Sequence, residues 1–466
     1  MKKKIYFIHL KIIFLIASIQ TGFAQEELPL EIFIDLVKTY HPFVKQAGLR
    51  INSSEAVLLK SRGAFDPRFT FNKSEKNFNG TQYYEKQNTK LVIPTFYGIE
   101  FDAQIQQSGG LFLNPENKIE SDNIFGIGAS IELGSGLWSN SRLTALRQAK
   151  LFNKQAMEEN AIEINQILTS AVHAYLDWYK AYKIFKIYDQ FVKNAAFRFE
   201  GVKKRIRSGD LSAIDSTEAR ISFYQRQFER ENAILDWRKK TLEVSNFIWT
   251  ENQPILISNQ LIPSLDENLF QELFTSDTLL IENHPKLKAL ELKRNQLVLE
   301  QRLQKNNLLP QISLHYQWLS DQSPYTQFNF AFDAENTSTG IKASFPIFLR
   351  KERANLKLAT IKTSDLEWEL TQTKLTLQNK IQALFIEKER LKRQVNLAFQ
   401  MVNDHELLYQ GEQKKFNEGE SSLFLVNSRE SKLIEAVIKS ISIEIDQKKA
   451  EATYYFSSNF PKISFI

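Results

Sequence analysis

Two stretches of this chain, Ser141 to Ser208 and Lys351 to Glu418, each run for 68 residues with a single glycine and no proline. At a rise of about 1.5 Å per residue, an uninterrupted helix of that length extends about 100 Å, well beyond the helices of ordinary globular domains. Such a helix has to bury its apolar side along other helices, and the sequence carries the seam. Ile164, Ala171, Trp178, Phe185, Val192, Phe199 and Ile206 recur every seven residues, as do Leu370, Leu377, Leu384, Leu391 and Ala398. A sustained seven-residue repeat is the pattern of coiled-coil packing. Gly209 and Gly419 follow the two stretches, and each precedes a further run without glycine or proline, Leu211 to Ile248 and Ser421 to Phe456. Each long helix is therefore expected to turn at its glycine and return as a second helix.

The two hairpins belong to a longer internal repeat. His41-Pro42 and His284-Pro285 are 243 residues apart, and so are Pro67 and Pro310. Between these prolines lie helix-compatible stretches, Phe43 to Phe65 and Lys286 to Leu309. Further on, Gly126-Ile127-Gly128-Ala129-Ser130 matches Gly340-Ile341-Lys342-Ala343-Ser344, and Lys204 to Gly209 matches Lys414 to Gly419. The order of elements is the same in both copies, which divides the chain into a first repeat over 25–253 and a second over 254–466. Each reads helix, strands, very long helix, turn and second long helix, with both repeats forming one intertwined fold. Because proline disfavours the α conformation in the residue before it, Asp66 and Leu309 should already be extended where helix gives way to strand.

The strand regions carry a different period. Phe125, Ile127, Ala129, Ile131 and Leu133 alternate with Gly126, Gly128, Ser130 and Glu132; Ile312, Leu314, Tyr316 and Trp318 alternate with polar neighbours. Alternation gives a sheet one apolar and one wet face. Arg68 to Phe71 and Gly340 to Ser344 complete about four strands. Ile99, Phe101, Ala103 and Ile105 form a further alternating segment, either an extra hairpin or additional wall.

The first 24 residues read as a secretory signal peptide: Lys2, Lys3 and Lys4, an apolar run from Ile5 to Ile19 interrupted by His9 and Lys11, and Gly22-Phe23-Ala24. No later stretch offers eighteen consecutive apolar residues, so any membrane insertion has to use strands. The chain contains no cysteine, which excludes disulfides, thiol catalysis and thiolate metal sites. Four of its lysines lie in the leader, so the formal charge of +6 falls to near +2 beyond it, which is no nucleic-acid footprint.

Catalytic motifs fail on inspection. His405-Glu406 opens like a zinc-protease motif, but Tyr409 stands where the second ligand belongs. Gly126 and Gly128 lie inside an alternating strand rather than a phosphate loop. The other histidines, His41, His173, His284 and His315, fall on separate elements, and helix acids read as a solvated face. The chain is expected to be no enzyme and to use no cofactor or metal.

With His41-Pro42 and His284-Pro285 opening the repeats, Pro67 and Pro310 at helix-to-strand transitions, and Gly209 and Gly419 at the turns, the chain resembles the TolC-like outer-membrane efflux proteins. The resemblance implies a mainly α fold with transmembrane β structure, in which three chains build one outer-membrane β-barrel continuous with a periplasmic α-helical barrel. It implies an exit duct of a tripartite efflux pump or type I secretion system, embedded in outer-membrane lipid and docked onto a periplasmic adaptor that serves an inner-membrane pump. A periplasmic coiled-coil adaptor or scaffold is the alternative, and it would present one hairpin flanked by β domains rather than two.

The adaptor-facing tips implied are Gly209, Asp210, Leu211 and Ser212, with Gly419, Glu420, Ser421, Ser422 and Leu423. Leu211 and Leu423 are expected to be exposed there. The periplasmic aperture implied is Asp215, Leu425 and Ser428. Where relatives carry aspartates six and nine residues after the second tip glycine, this chain has Leu425 and Ser428, so its constriction is expected to lack an acidic ring.

Overall fold

A computed structural model describes residues 26–118, 123–134, 140–251, 253–257, 261–274, 281–321 and 335–458. The leader expected over 1–24 lies outside them. In chain order the elements are β1 (Glu27–Pro29), α1 (Leu30–Tyr40), α2 (Pro42–Arg62), β2 (Arg68–Phe78), β3 (Thr81–Pro94), β4 (Ile99–Gly109), β5 (Ile124–Gly134), α3 (Ser141–Arg207) and α4 (Ala213–Ser245). There follow β6 (Trp249–Thr250), β7 (Gln253–Pro254), β8 (Ile262–Ser264), α5 (Glu267–Leu273), α6 (Pro285–Asn306), β9 (Gln311–Ser320), β10 (Thr337–Ser344), α7 (Arg350–Asn417) and α8 (Leu423–Ser458). The two long tracts are single helices of 67 and 68 residues.

Contacts divide the chain into two compact units, each assembled from both halves of the sequence: 1–46 with 163–278 and 380–460, and 47–162 with 279–379 and 461–466.

In the first unit, segments of α3 and α7 pack with α4 and α8. The expected seam on α3 is buried at Ile164, Ala171 and Trp178; further along, Phe191, Ala195 and Val202 take the buried places while Val192, Phe199 and Ile206 are half-buried. On α7, Leu391 and Ala398 are buried. Trp178 is enclosed completely: its indole N–H donates to Thr241 Oγ1 at 2.9 Å, and its ring meets Tyr175 edge-on at 5.7 Å. The Tyr175 hydroxyl reaches the carbonyls of Leu28 and Ser264, within a parallel pair formed by β1 and β8. One phenol on the long helix thus pins two short strands that are far apart in the sequence. The first His-Pro pair acts at a helix start, with His41 Nδ1 accepting the Phe43 N–H at 3.3 Å and burial holding the imidazole below its ordinary pKa.

In the second unit the strands form a single sheet of six, in the order β10-β9-β5-β4-β3-β2, antiparallel throughout. The ambiguous segment from Ile99 is a strand inside the sheet, paired on both sides. β3 is a strand the alternation did not disclose, because Lys86, Asn88 and Lys90 on one face oppose only Thr89, Leu91 and Ile93 on the other, and Glu85 and Gln87 continue that second face. The expectation of about four strands per chain is corrected to six among the described residues. At the two helix-to-strand passages the chain leaves the helix before its proline. Asp66 is extended (φ −69°, ψ 142°) after a turn over Gly63–Phe65, and α6 ends at Asn306 before β9 opens at Gln311. His284 repeats the capping role here, its Nδ1 accepting the Lys286 N–H at 3.1 Å.

Replacing Tyr175 by Phe removes the hydroxyl that meets the Leu28 and Ser264 carbonyls while keeping the ring. A loss of about 1–3 kcal/mol is expected, read as a lower temperature midpoint of helix melting by circular dichroism, with the oligomer otherwise unchanged.

Candidate functional site

The sheet separates its side chains by chemistry. One set of cross-strand rows reads Phe69, Leu91, Ala103, Ile127, Trp318 and Thr337, and the next reads Ile93, Phe101, Ala129, Tyr316 and Thr339. Ile99, Ile131, Leu314 and Ile341 form a third. Many of these are bare in the chain, including Phe69 at 70% and Ile341 at 79% exposure. The opposite face carries Arg68, Thr70, Lys90, Asp102, Gln104, Ser130, His315, Gln317 and Lys342. Apolar residues facing outward along a band of strands are the signature of a wall against lipid, and polar ones inward that of a watered lumen.

The polar face is a bonded network. Asp102, nearly enclosed, pairs with Lys90 at 3.3 Å, meets His315 Nε2 at 3.2 Å and accepts from Gln317 Nε2 at 3.3 Å; Gln104 Nε2 donates to Gln317 Oε1 at 2.8 Å. Gly126 and Gly128 make room for it: a β-carbon on Gly126 would fall 2.4 Å from Gln317 Nε2, and one on Gly128 2.6 Å from the Tyr316 carbonyl oxygen. These glycines serve close approach within a strand, not phosphate binding.

The hairpin ends are built alike. Gly209 and Gly419 sit at φ +85° and +84°, a region glycine enters without steric cost. At the first end Gly209 N–H bonds Ile206 O at 3.1 Å and Asp210 N–H bonds Arg205 O at 2.9 Å. At the second, Gly419 bonds Phe416 O at 3.2 Å and Glu420 bonds Lys415 O at 2.9 Å. This doubled closure caps the last carbonyls of α3 and α7. Asp215 accepts the Ser212 N–H at 3.0 Å, closing a capping box at the start of α4. Ser422 Oγ accepts from the Leu425 N–H at 3.3 Å at the start of α8.

Of the residues expected at the tips, Gly209, Asp210, Ser212, Gly419, Glu420 and Ser422 are exposed, and Ser421 is half-buried. Leu423 departs from the expectation. It is 1% exposed, at the centre of a cluster with Phe191, Val202, Ala219, Tyr409, Phe416, Val426, Leu433 and Ile434, and Leu211 packs against the same cluster. Both leucines close the core beneath the turn, because a hairpin end has no further turn of helix to cover it. Leu425 (42% exposed) and Ser428 lie on the uncovered side of α8, and Asp215 is tied to its cap.

Beside this cluster lies a charged group that sequence reasoning did not find. Glu430, fully buried, is ion-paired to Arg198 from α3, and its second oxygen is 3.6 Å from Arg226 Nε on α4. Arg198 also donates to Tyr409 Oη at 2.9 Å and Asn427 Oδ1 at 2.9 Å; Tyr409 of α7 donates to Glu430 at 3.2 Å. Arg226 reaches Ser431 Oγ at 2.6 Å and Glu229 at 2.9 Å, and Asn427 Nδ2 donates to Glu218 at 3.2 Å. Burial, then the Glu430 carboxylate, push the Tyr409 phenol up to about 12, so it keeps its proton for Glu430. Four helices meet in this network. Its sequence signal is a charge inside an apolar stripe: Leu423, Val426, Leu433 and Ile434 flank Glu430 at helical spacing.

A second missed feature is on α4. Its buried side is small or polar at Ala219, Arg226 and Ala233, whereas Ile214, Ile221, Phe228, Leu235 and Leu242, spaced by seven, are each more than half exposed. Among the described residues no group of three His, Cys, Asp or Glu is placed to hold a metal ion.

Removing the buried carboxylate takes the ion-pair partner from Arg198 and leaves Arg226 only Glu229. Glu430→Ala is expected to cost about 3–5 kcal/mol, seen as early thermal loss of the hairpin helices. Combining Arg198→Met, Arg226→Met and Glu430→Leu should recover most of that loss.

Residues 278–455 match the family described as Outer membrane efflux protein. No curated protein matches the chain. Among solved structures, the Campylobacter jejuni CmeC outer membrane channel aligns with a TM-score of 0.63 at 14% identity, covering 94% of this chain and 87% of that one. The open state of the Neisseria gonorrhoeae MtrE outer membrane channel aligns at 0.64 and 11% identity, covering 91% and 87%. A membrane protein from Pseudomonas aeruginosa aligns at 0.64 and 14%, covering 92% of each. Residues 278–455 thus match the outer membrane efflux protein family, and the chain has, along nearly its whole length, the fold of these outer-membrane channels.

Proposed function

We propose that this chain is the outer-membrane channel of a tripartite efflux pump or type I secretion system. On this reading residues 1–24 are removed on export, the repeats over 25–253 and 254–466 form one subunit, and three subunits make the duct. The observation that carries it is the two-faced sheet: one side is polar, and the apolar rows of the other are left bare by the chain itself, as a wall between water and lipid requires. The exposed heptad seam of α4 supports association, since a row of large apolar residues at seven-residue spacing calls for a helix from outside the chain. A periplasmic adaptor would have no need of the bare aromatic and aliphatic rows on the sheet.

Outer-membrane fractionation with unheated gel migration tests this reading. A membrane-embedded oligomer that dissociates on heating is expected, and a soluble monomer would refute the proposal.

The exposed tips, Asp210 with Ser212 and Glu420 with Ser422, are the surface we assign to a periplasmic adaptor. Asp210→Lys with Glu420→Lys should abolish export while leaving the heat-dissociable oligomer intact, because neither side chain enters the hairpin core. Leu423→Asp, in contrast, should lose the folded hairpin.

The aperture assigned to Leu425 and Ser428 offers no converging carboxylates, and Glu430 is held inside the bundle by two arginines. A compact trivalent cation then has no concentrated charge to bind. Single-channel recordings with cobalt hexaammine on the periplasmic side should show little block, and Leu425→Asp with Ser428→Asp should introduce it. Strong block of the unaltered channel would mean that other acids, Glu418 or Glu420, supply the ring.

A further inference from the structure

The β2–β3 hairpin sorts its charges by face. Its acids, Glu75 and Glu85, lie on the side that carries Phe69, Phe71 and Leu91, where Lys73 is ion-paired to Glu85 at 2.8 Å. The other side, which belongs to the polar face of the sheet, reads Arg68, Thr70, Asn72, Ser74 and Lys76 along β2, and Tyr84, Lys86, Asn88, Lys90 and Val92 along β3. That side holds four cations and no carboxylate.

Register sets their spacing. Arg68 is level with Val92, Thr70 with Lys90, Asn72 with Asn88, Ser74 with Lys86 and Lys76 with Tyr84. A cation therefore stands at each level except the middle one, where two side-chain amides offer N–H donors instead. At about 3.4 Å per residue, successive levels are about 7 Å apart and the whole series runs about 27 Å. Two of the ammonium groups are set against aromatic rings, Lys76 Nζ at 4.9 Å from the centre of Tyr83 and Lys86 Nζ at 5.4 Å from that of Tyr84. A ring attracts a cation without cancelling its charge.

The carboxylates that share the polar face are already engaged. Asp102 is paired with Lys90 and meets His315, and Glu100 is ion-paired with Arg142. Glu116, in the connection from β4 to β5, is within electrostatic reach of Lys86 and also accepts from Asn114 Nδ2 at 3.0 Å. Across the six strands, the polar rows carry Arg68, Lys76, Lys86, Lys90 and Lys342 against Glu100, Asp102 and Glu132. The balance is positive, and the excess lies on the β2–β3 hairpin.

We propose that this face of the hairpin is a track for small anionic solutes, carboxylates or phosphates, with Arg68, Lys90, Lys86 and Lys76 as its steps. The proposal rests on the channel reading above and adds to it the sign of charge that the duct favours. Lys and Arg lining a pore are what selects anions, and conduction requires several weak sites rather than one strong one. Spaced cations supply that: at a physiological screening length of about 8 Å, the field of one step reaches the next and little further.

The purified full chain in planar bilayers tests this with a potassium chloride gradient from about 0.1 to 0.01 M, where wall charges act over about 10–30 Å. The reversal potential should show chloride preferred over potassium several-fold. Lys76→Glu with Lys86→Glu should turn the preference toward potassium, and Lys76→Gln with Lys86→Gln should weaken it. Lys73→Gln, on the other face, should leave it unchanged. A potassium preference in the unaltered channel, or a reversal potential that neither lysine pair moves, would overturn the anion track and leave the channel reading standing, since ions still cross. A protein that carries no current and behaves as a soluble monomer would overturn both.

Discussion

Neither half of this molecule can satisfy its own surface within one chain. In one unit, six strands turn contiguous apolar rows outward and leave a backbone edge on either side; in the other, α4 carries an apolar seam directed away from its own core. Both are arcs rather than closed bodies. The cost of unpaired edges and bare seams is of the kind that decides quaternary structure, because a single unpaired backbone group in hydrocarbon outweighs a surface ion pair several times over. The small sheet of β1 and β8 shows the opposite strategy, with its strand ends bound by the Tyr175 hydroxyl inside the same chain.

The Glu430 network answers a different problem. A seam of leucines and alanines lets long helices slide by a turn at little cost, whereas one buried carboxylate shared by Arg198, Arg226 and Tyr409 admits a single alignment of four helices. Burying three charges contributes little net stability, and apolar replacements of similar size are often as stable or more so. What the network contributes is register, close to the two turns. The turns use the same logic in backbone form: two glycines at nearly equal φ, each with the same pair of closing hydrogen bonds.

The sequence made the long helices, their turns and the helix-to-strand passages legible because each rests on a local rule: absence of helix breakers, a positive-φ glycine, or a proline acting on its neighbour. Asp66 is extended for the reason the sequence supplies. β3 was hidden because a strand that leaves the apolar band partway along loses its alternation, so Glu85 and Gln87 masked Leu91 and Ile93. Leu423 was misplaced because proximity to a turn glycine suggests exposure, while the tertiary cluster beneath the turn decides burial. Arg198 and Arg226 were invisible because the carboxylate they share, Glu430, is more than 200 residues away; only Glu430, a charge in an apolar stripe, announced anything locally.

The two returning helices, α4 and α8, begin with the same kind of cap yet bury opposite amounts. α8 lies between the others, bonded to α3 through Glu430 and Glu444, to α4 through Ser431 and Asn427, and to α7 through Tyr409. α4 touches its own chain through Ala219, Arg226, Ala233 and Val244 and through Phe223 and Trp237, stacked on Phe199 and Phe185, while its heptad from Ile214 to Leu242 stays exposed. A helix with large residues on two sides, one packed and one bare, has packing area left over on the bare side. The division follows from cover: α8, bonded to all three of the other helices, has its apolar residues enclosed, and only a helix with a bare side, as α4 has, can carry an exposed seam.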